Sequence, residues 1–306
     1  MGKTAFLFSG QGAQTVGMCK DFYDDNKIAK ELFDLGETIK PGVKDICFNS
    51  DMATLTATEN AQPCLYLTDL SIAKILADNG IKPDAVAGFS LGEIPALAFA
   101  KVFSEEDGFK FVCIRGEAMK KANENHPGGM VAALKLPPET VEKVASEFKQ
   151  IYPVNYNCPG QVSCAGAFDE LDGFVEAIKK EGGRAVKLAV SGAFHSPYME
   201  EASLVLKNAL ESIPVSAAQI PVYSDRSGEV YPENEEGIKE ALSKQVCSPV
   251  RWQKILENMY EDGIDTFIEV GVGATLKGFV GRTLPEAKAY AVTDKASLAA
   301  LLETLK

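Results

Sequence analysis

The stretch AVAGFSLGEIPA, residues 85–96, decides how the rest of the chain is read. Ala85, Val86 and Ala87 suit a short buried strand. Gly88-Phe89-Ser90-Leu91-Gly92 then forms G-x-S-x-G, the pattern of a nucleophile elbow. From Glu93 to Ala100 the residues read as a helix, with Pro95 in its first turn, where a missing N–H costs little. A strand that turns at once into a helix strains the nucleophile and crowds the residues two before and two after it. Gly88 and Gly92 have no Cβ to collide. The serine hydroxyl is thereby held clear of the sheet at a helix N-terminus, whose dipole favours developing negative charge. Five residues are a weak signal alone. The flanking strand and helix strengthen it, and the chain must still supply a base, an oxyanion hole and a pocket.

The chain of 306 residues permits one large domain or two unequal ones. At 46% hydrophobic and 24% charged residues, it has the make-up of a globular protein. No segment is apolar over the length of a membrane span, and MGKTAFLFSGQG at the N-terminus lacks a signal peptide's apolar core. Seven cysteines are scattered without C-x-x-C spacing, so reduced thiols in a cytoplasm are expected and a zinc site is not. A net charge of −12 opposes nucleic-acid binding, and would also repel an acidic partner unless basic residues cluster.

Working outward, the pattern predicts a strand at 4–8, helices at 27–39 and 62–79, and a helix at 105–123. Residues 130–190 have their own rhythm: strand 130–136, helix 138–148, strands 152–157 and 161–165, helix 170–181 and strand 185–190. The order β-α-β-β-α-β is that of a ferredoxin-like unit. Glycines at 128, 129 and 192 flank it. After it, α/β alternation resumes, with helices at 199–212, 235–246, 251–260, 274–283 and 295–305 and strands at 221–224, 266–269 and 289–292. The fold class is therefore α/β, a mainly parallel sheet covered on both faces with a small inserted domain. The expected large domain is discontinuous, 1–126 and 197–306, and the expected insert is 127–196.

A serine nucleophile needs a group to take its proton, and the chain has two histidines. His126 lies in the polar loop NENHPGG. His195, in AVSGAFHSPYM, follows the last strand of the insert and is the better candidate. Gln11 lies in the glycine-rich turn FSGQGAQ after the first strand. Its backbone N–H and that of Leu91 are candidate oxyanion donors. Arg115 falls in the apolar stripe Phe111, Val112, Ala118, Met119 and Ala122. A guanidinium facing a core needs a carboxylate, either an internal Asp or Glu or one belonging to the substrate.

These pieces together resemble the malonyl-CoA:acyl carrier protein transacylases and, more widely, the acyltransferase domains of fatty-acid and polyketide synthases. The blocks are FLFSGQGAQTVGM at 6–18, ENAQPCLYLTD at 59–69, GFSLGE at 88–93, RGEAM at 115–119, NYNCPGQVSCAG at 155–166, VSGAFHSPYM at 190–199, QVCSPVRW at 245–252 and FIEVGVGATLKGFV at 267–280. The resemblance implies a hydrolase-like α/β domain with an inserted ferredoxin-like domain. It implies Ser90 as the acylated nucleophile, His195 as its base, and the N–H groups of Gln11 and Leu91 as the oxyanion hole. Arg115 would hold the malonyl carboxylate, Gln245 would orient His195 through its backbone carbonyl, and Asn157 would lie close to His195. Phe194 resembles members that take malonyl, a bulky ring crowding an α-methyl group.

Three residues depart from the family pattern. Phe89 stands where the family usually has His, Val272 where it has Pro, and Asp225 where it often has Asn.

The implied reaction moves malonyl from malonyl-CoA to the phosphopantetheine thiol of an acyl carrier protein, with no metal or redox cofactor. No nucleic-acid or membrane partner is expected, and the chain is expected to be a monomer. A carrier protein is typically acidic, so a basic patch is expected to receive it: Lys179, Lys180, Arg184 and Lys187, or Lys120 and Lys121. A thioester hydrolase would share Ser90 and His195 without needing Arg115. A non-catalytic carrier-binding module would need none of the three.

Overall fold

The computed structural model describes residues 2–190 and 192–305. Its strands are β1 Lys3–Phe8, β2 Ala85–Gly88, β3 Gly129–Leu134, β4 Ile151–Cys158, β5 Gln161–Gly166, β6 Arg184–Lys187, β7 Val222–Tyr223, β8 Ile264–Val270 and β9 Lys288–Val292. Two sheets result. The larger has order β7-β2-β1-β8-β9 and every pairing in it is parallel. Ala5, Phe6, Leu7 and Phe8 of β1 are wholly buried, the continuous apolar run of a strand covered on both faces.

The arrangement places the site. Phe8 pairs with Gly88 on one side of β1 and with Val270 on the other. The turns after β1, β2 and β8 therefore emerge together at the carboxyl end of the sheet. The chain runs outward from β1 to β2 on one side and to β8 on the other, and such a switch point opens a crevice.

The smaller sheet has order β4-β5-β3-β6 and is antiparallel throughout, the topology of the β-α-β-β-α-β unit expected from the sequence. Alternation divides its faces. Val131 and Ala133 pack with Val141, Val144, Leu171, Phe174 and Ile178 of the unit's own two helices. Met130 and Ala132, which alternate with them, look into the crevice. Val250, outside both sheets, bridges to β4: its N–H donates to Val154 O at 2.7 Å, and Tyr156 N–H donates to Val250 O at 2.9 Å.

Some expectations shift. The strand expected at 185–190 ends at Lys187. Leu188 makes one further bond to Met130 O, and residues 188–190 then leave the ladder to line the crevice. The helix expected from Gln62 starts at Thr58 and carries Pro63 inside it, so that proline does not mark the start. Short helices Lys20–Asp25, Val43–Asn49 and Met52–Thr56 occupy a region with no clear periodic signal. Among the described residues, no helix is long and apolar enough to cross a membrane.

Candidate active site

Ser90 comes one residue after β2, in a single 3₁₀ turn, Ser90–Gly92, that leads into the helix Glu93–Phe99. Its φ is 54°, left-handed backbone that costs a residue with a Cβ about 1 kcal/mol or more. The two glycines are obligatory. A Cβ on Gly88 would stand 2.0 Å from the Gly92 carbonyl, and one on Gly92 would stand 2.3 Å from Phe8 O.

The Ser90 hydroxyl lies 2.7 Å from His195 Nε2. His195 Nδ1 faces two carbonyl oxygens, Gln245 O at 3.1 Å and Ser248 O at 3.2 Å. Two acceptors at Nδ1 assign the proton there and leave the lone pair of Nε2 toward the serine. The imidazole is thus oriented by neutral carbonyls. Burial, and then the neighbouring Arg115 charge, hold its pKa down at about 4.

Arg115, on the helix Glu105–Asn125, is 1% exposed. Nη1 donates to Gln62 Oε1 at 2.7 Å, and Nη2 to Gln245 Oε1 at 2.9 Å and to Ser90 Oγ at 3.3 Å. Both of its strong partners are amide oxygens. The internal ion pair, one of the two readings open from the sequence, is not the arrangement found. Burial lowers its pKa to about 10, so it remains a cation at neutral pH.

A cleft of about 370 Å³ lies over these groups, lined among others by Gln11, Ser90, Arg115, Asn157, Phe194 and His195. Gln11 sits in the turn after β1, its carboxamide oxygen accepting from Thr58 Oγ1 at 3.0 Å. Leu91 is buried in the 3₁₀ turn, immediately after the serine. Asn157 Nδ2 donates weakly to Ser163 Oγ at 3.4 Å, and Asn157 Oδ1 is buried with no partner among the described residues. The chemistry open to this arrangement is attack by an imidazole-activated hydroxyl on an acyl group whose anionic end meets a buried guanidinium.

The acyl transferase domain family matches residues 5–305, nearly the whole chain. The chain belongs to that acyltransferase family. The malonyl CoA-acyl carrier protein transacylase of Bacillus subtilis is 38% identical over 312 residues, covering 100% of this chain and 98% of that protein. Among solved structures, the malonyl CoA-acyl carrier protein transacylase of Clostridium perfringens superposes with a TM-score of 0.94 at 37% identity, over 99% of this chain and 97% of that one. A malonyl-transacylase solved in complex with a type II PKS acyl-carrier protein superposes with a TM-score of 0.94 at 31% identity, over 99% of both chains.

Within this acyltransferase, several residues of the site had no separate signal in the sequence. Gln62 holds Arg115, and the Gln245 side chain, beyond its backbone role, does the same. Gln62 stood out in the sequence only as part of the block ENAQPCLYLTD. Phe89, in the place of a usual histidine, meets Trp252 edge-on with ring centroids 5.4 Å apart and lies near Phe279. Phe89, Trp252 and Phe279 form an aromatic cluster there. The candidate basic patches are partly neutralised: Lys179 pairs with Glu176, Lys187 with Asp172 and Lys120 with Glu59.

Proposed function

We propose that this acyltransferase carries malonyl from malonyl-CoA to the phosphopantetheine thiol of an acyl carrier protein through malonyl-Ser90, supplying chain elongation in fatty-acid or polyketide synthesis. His195 Nε2 takes the Ser90 proton as Oγ attacks the thioester carbonyl. The oxyanion rests on the N–H groups of Gln11 and Leu91. The C–S bond breaks, and His195 returns the proton to the leaving thiolate of CoA. The carrier thiol then attacks malonyl-Ser90, with His195 again as base and Ser90 Oγ as the leaving group.

The observation that carries this reading is Arg115. A buried cation 3.3 Å from the nucleophile, held by amide oxygens, is placed to receive a carboxylate brought by the substrate. Phe194, 7% exposed in the same cleft, supports malonyl over a branched analogue. Asn157 is the remaining substrate contact. The large domain is 1–126 with 197–306, the insert 127–196, and the chain acts as a monomer in the cytoplasm, where seven free cysteines are at home. This chemistry calls for no metal or redox cofactor.

Arg115→Ala tests the reading. A charge-assisted pair contributes about 1.5–3 kcal/mol, so malonyl loading should fall roughly tenfold to over a hundredfold while loading from acetyl-CoA is spared. Rate constants of loading from the two thioesters decide it. An equal fall in both would make Arg115 a structural residue.

A further inference from the structure

Beneath the nucleophile lie two buried carboxyls that the reaction above leaves unused. Asp225 follows β7 and is 1% exposed, and Glu93, wholly buried, opens the helix after the elbow. One oxygen, Asp225 Oδ2, accepts from Ser90 N–H at 2.7 Å and from Gln245 Nε2 at 3.1 Å. Gln245 Nε2 also donates to Ser90 O at 2.6 Å, and Gln245 Oε1 accepts from Arg115. Both backbone polar groups of the serine are therefore held, its N–H by Asp225 and its C=O by Gln245. Asp225 N–H donates in turn to Glu93 Oε1 at 3.1 Å, which ties the ring to the helix after the elbow.

The strain of Ser90 gives this ring its work. A left-handed residue costs roughly 1–3 kcal/mol and persists only where its surroundings over-determine it. Gly88 and Gly92 remove collisions but supply no attraction. The attraction comes from the bond between Ser90 N–H and Asp225, made across 135 residues of chain. We propose that Asp225 is a positioning residue of the acyl transfer: its carboxyl oxygen fixes the nucleophile's backbone and, through the Gln245 carboxamide, the oxygen on which Arg115 rests. This inference rests on Ser90 being the acylated residue.

What matters is the acceptor. Besides Glu93 from the helix Glu93–Phe99, the charged or titratable groups around Asp225 are Arg115 from the helix Glu105–Asn125 and Tyr231 after β7. Asp225 Oδ1 and Glu93 Oε2 are both buried, with no hydrogen-bond partner among the described residues. Burial disfavours charge on both carboxyls, and a proton on Asp225 Oδ1 would leave Oδ2 as an acceptor. An asparagine at 225 would keep that acceptor and turn its NH₂ to the place of Oδ1. A leucine of the same branching would remove the acceptor.

Single-turnover loading from malonyl-CoA, quenched and read by intact mass, separates rate constant from amplitude. A folding defect lowers the fraction of protein that loads, whereas a displaced nucleophile lowers the rate constant of the fraction that does. Asp225→Leu should load at least roughly tenfold more slowly than the parent, and Asp225→Asn should recover most of that loss. If the leucine variant does not fold, Asp225→Ser, too short to reach Ser90 N–H, carries the same expectation. A leucine or serine variant within twofold of the parent rate constant would overturn the proposal, and so would an asparagine variant as slow as the leucine one. A parent that takes up no malonyl at all would instead overturn the function on which the proposal rests.

Discussion

The elbow at 88–92 and the loop that carries His195 bring two groups to within 2.7 Å, and each does so with a residue in left-handed backbone, φ 54° at Ser90 and 61° at His195. They reach that conformation by different means. The elbow is shaped first by close backbone contact, since there is no room for a Cβ at Gly88 or Gly92. The histidine loop is held from a distance. His195 N–H donates to Val246 O at 3.0 Å, and its ring is held by the carbonyls of Gln245 and Ser248. Close backbone contact shapes the elbow around a serine that Asp225 also holds, whereas the histidine loop rests on distant hydrogen bonds, so substitutions at the two places should fail differently.

The largest effect is expected at the elbow. Gly88→Ala sets a Cβ against the backbone of Gly92 and Glu93, which no side-chain motion relieves. It should cost about 3 kcal/mol or more and remove loading, read by thermal unfolding and single-turnover acylation. Parent-like stability would break the claim that the elbow is sterically fixed. The matching change beside the base is milder. A Cβ on Gly192 would meet only the tips of Asn123 and Phe194, each at 2.9 Å, and side chains can yield. Gly192→Ala should cost about 1 kcal/mol or less, and a cost equal to that at Gly88 would erase the contrast.

The smallest effect, and the one that sharpens the account of the loop, is on pH. Burial and the Arg115 charge disfavour the imidazolium, so His195 titrates at about 4 instead of the usual 6.5. It is a free base at every pH above that, and kcat/KM for loading should be flat near neutrality with an acid limb near 4. Linkage has the same sign. Unfolded histidine takes up a proton at 6.5 and the folded one does not until about 4, so this group's stabilisation is present above 6.5 and lost as pH falls to 4. An acid limb at 6.5 would mean that the base is solvated and the loop open.

The same contrast explains what could be read in advance. The elbow was legible because its cause is local: two glycines, a small apolar strand and a helix lie within twelve residues. The central strands of the larger sheet were legible for a like reason, runs such as Ala5–Phe8 being apolar without break, and those of the smaller sheet by the β-α-β-β-α-β rhythm of the whole unit. His195 emerged from the residues only by elimination between two histidines. The grip of Gln62 on Arg115 and of Asp225 on Ser90 spans 53 and 135 residues, and no periodicity carries such information. Asp225 was visible only as a departure from a family pattern, with no consequence attached until its oxygen was found on the serine N–H.

The central claim is that Ser90 carries the acyl group between two thiols. Intact mass of the parent and of Ser90→Ala, after mixing with malonyl-CoA and then with phosphopantetheinylated carrier protein, tests it most directly. The account predicts one malonyl adduct on the parent, none on Ser90→Ala, and passage of the adduct from the parent to the carrier thiol. An undiminished adduct on Ser90→Ala, or free malonate as the main product with the carrier unloaded, would contradict it.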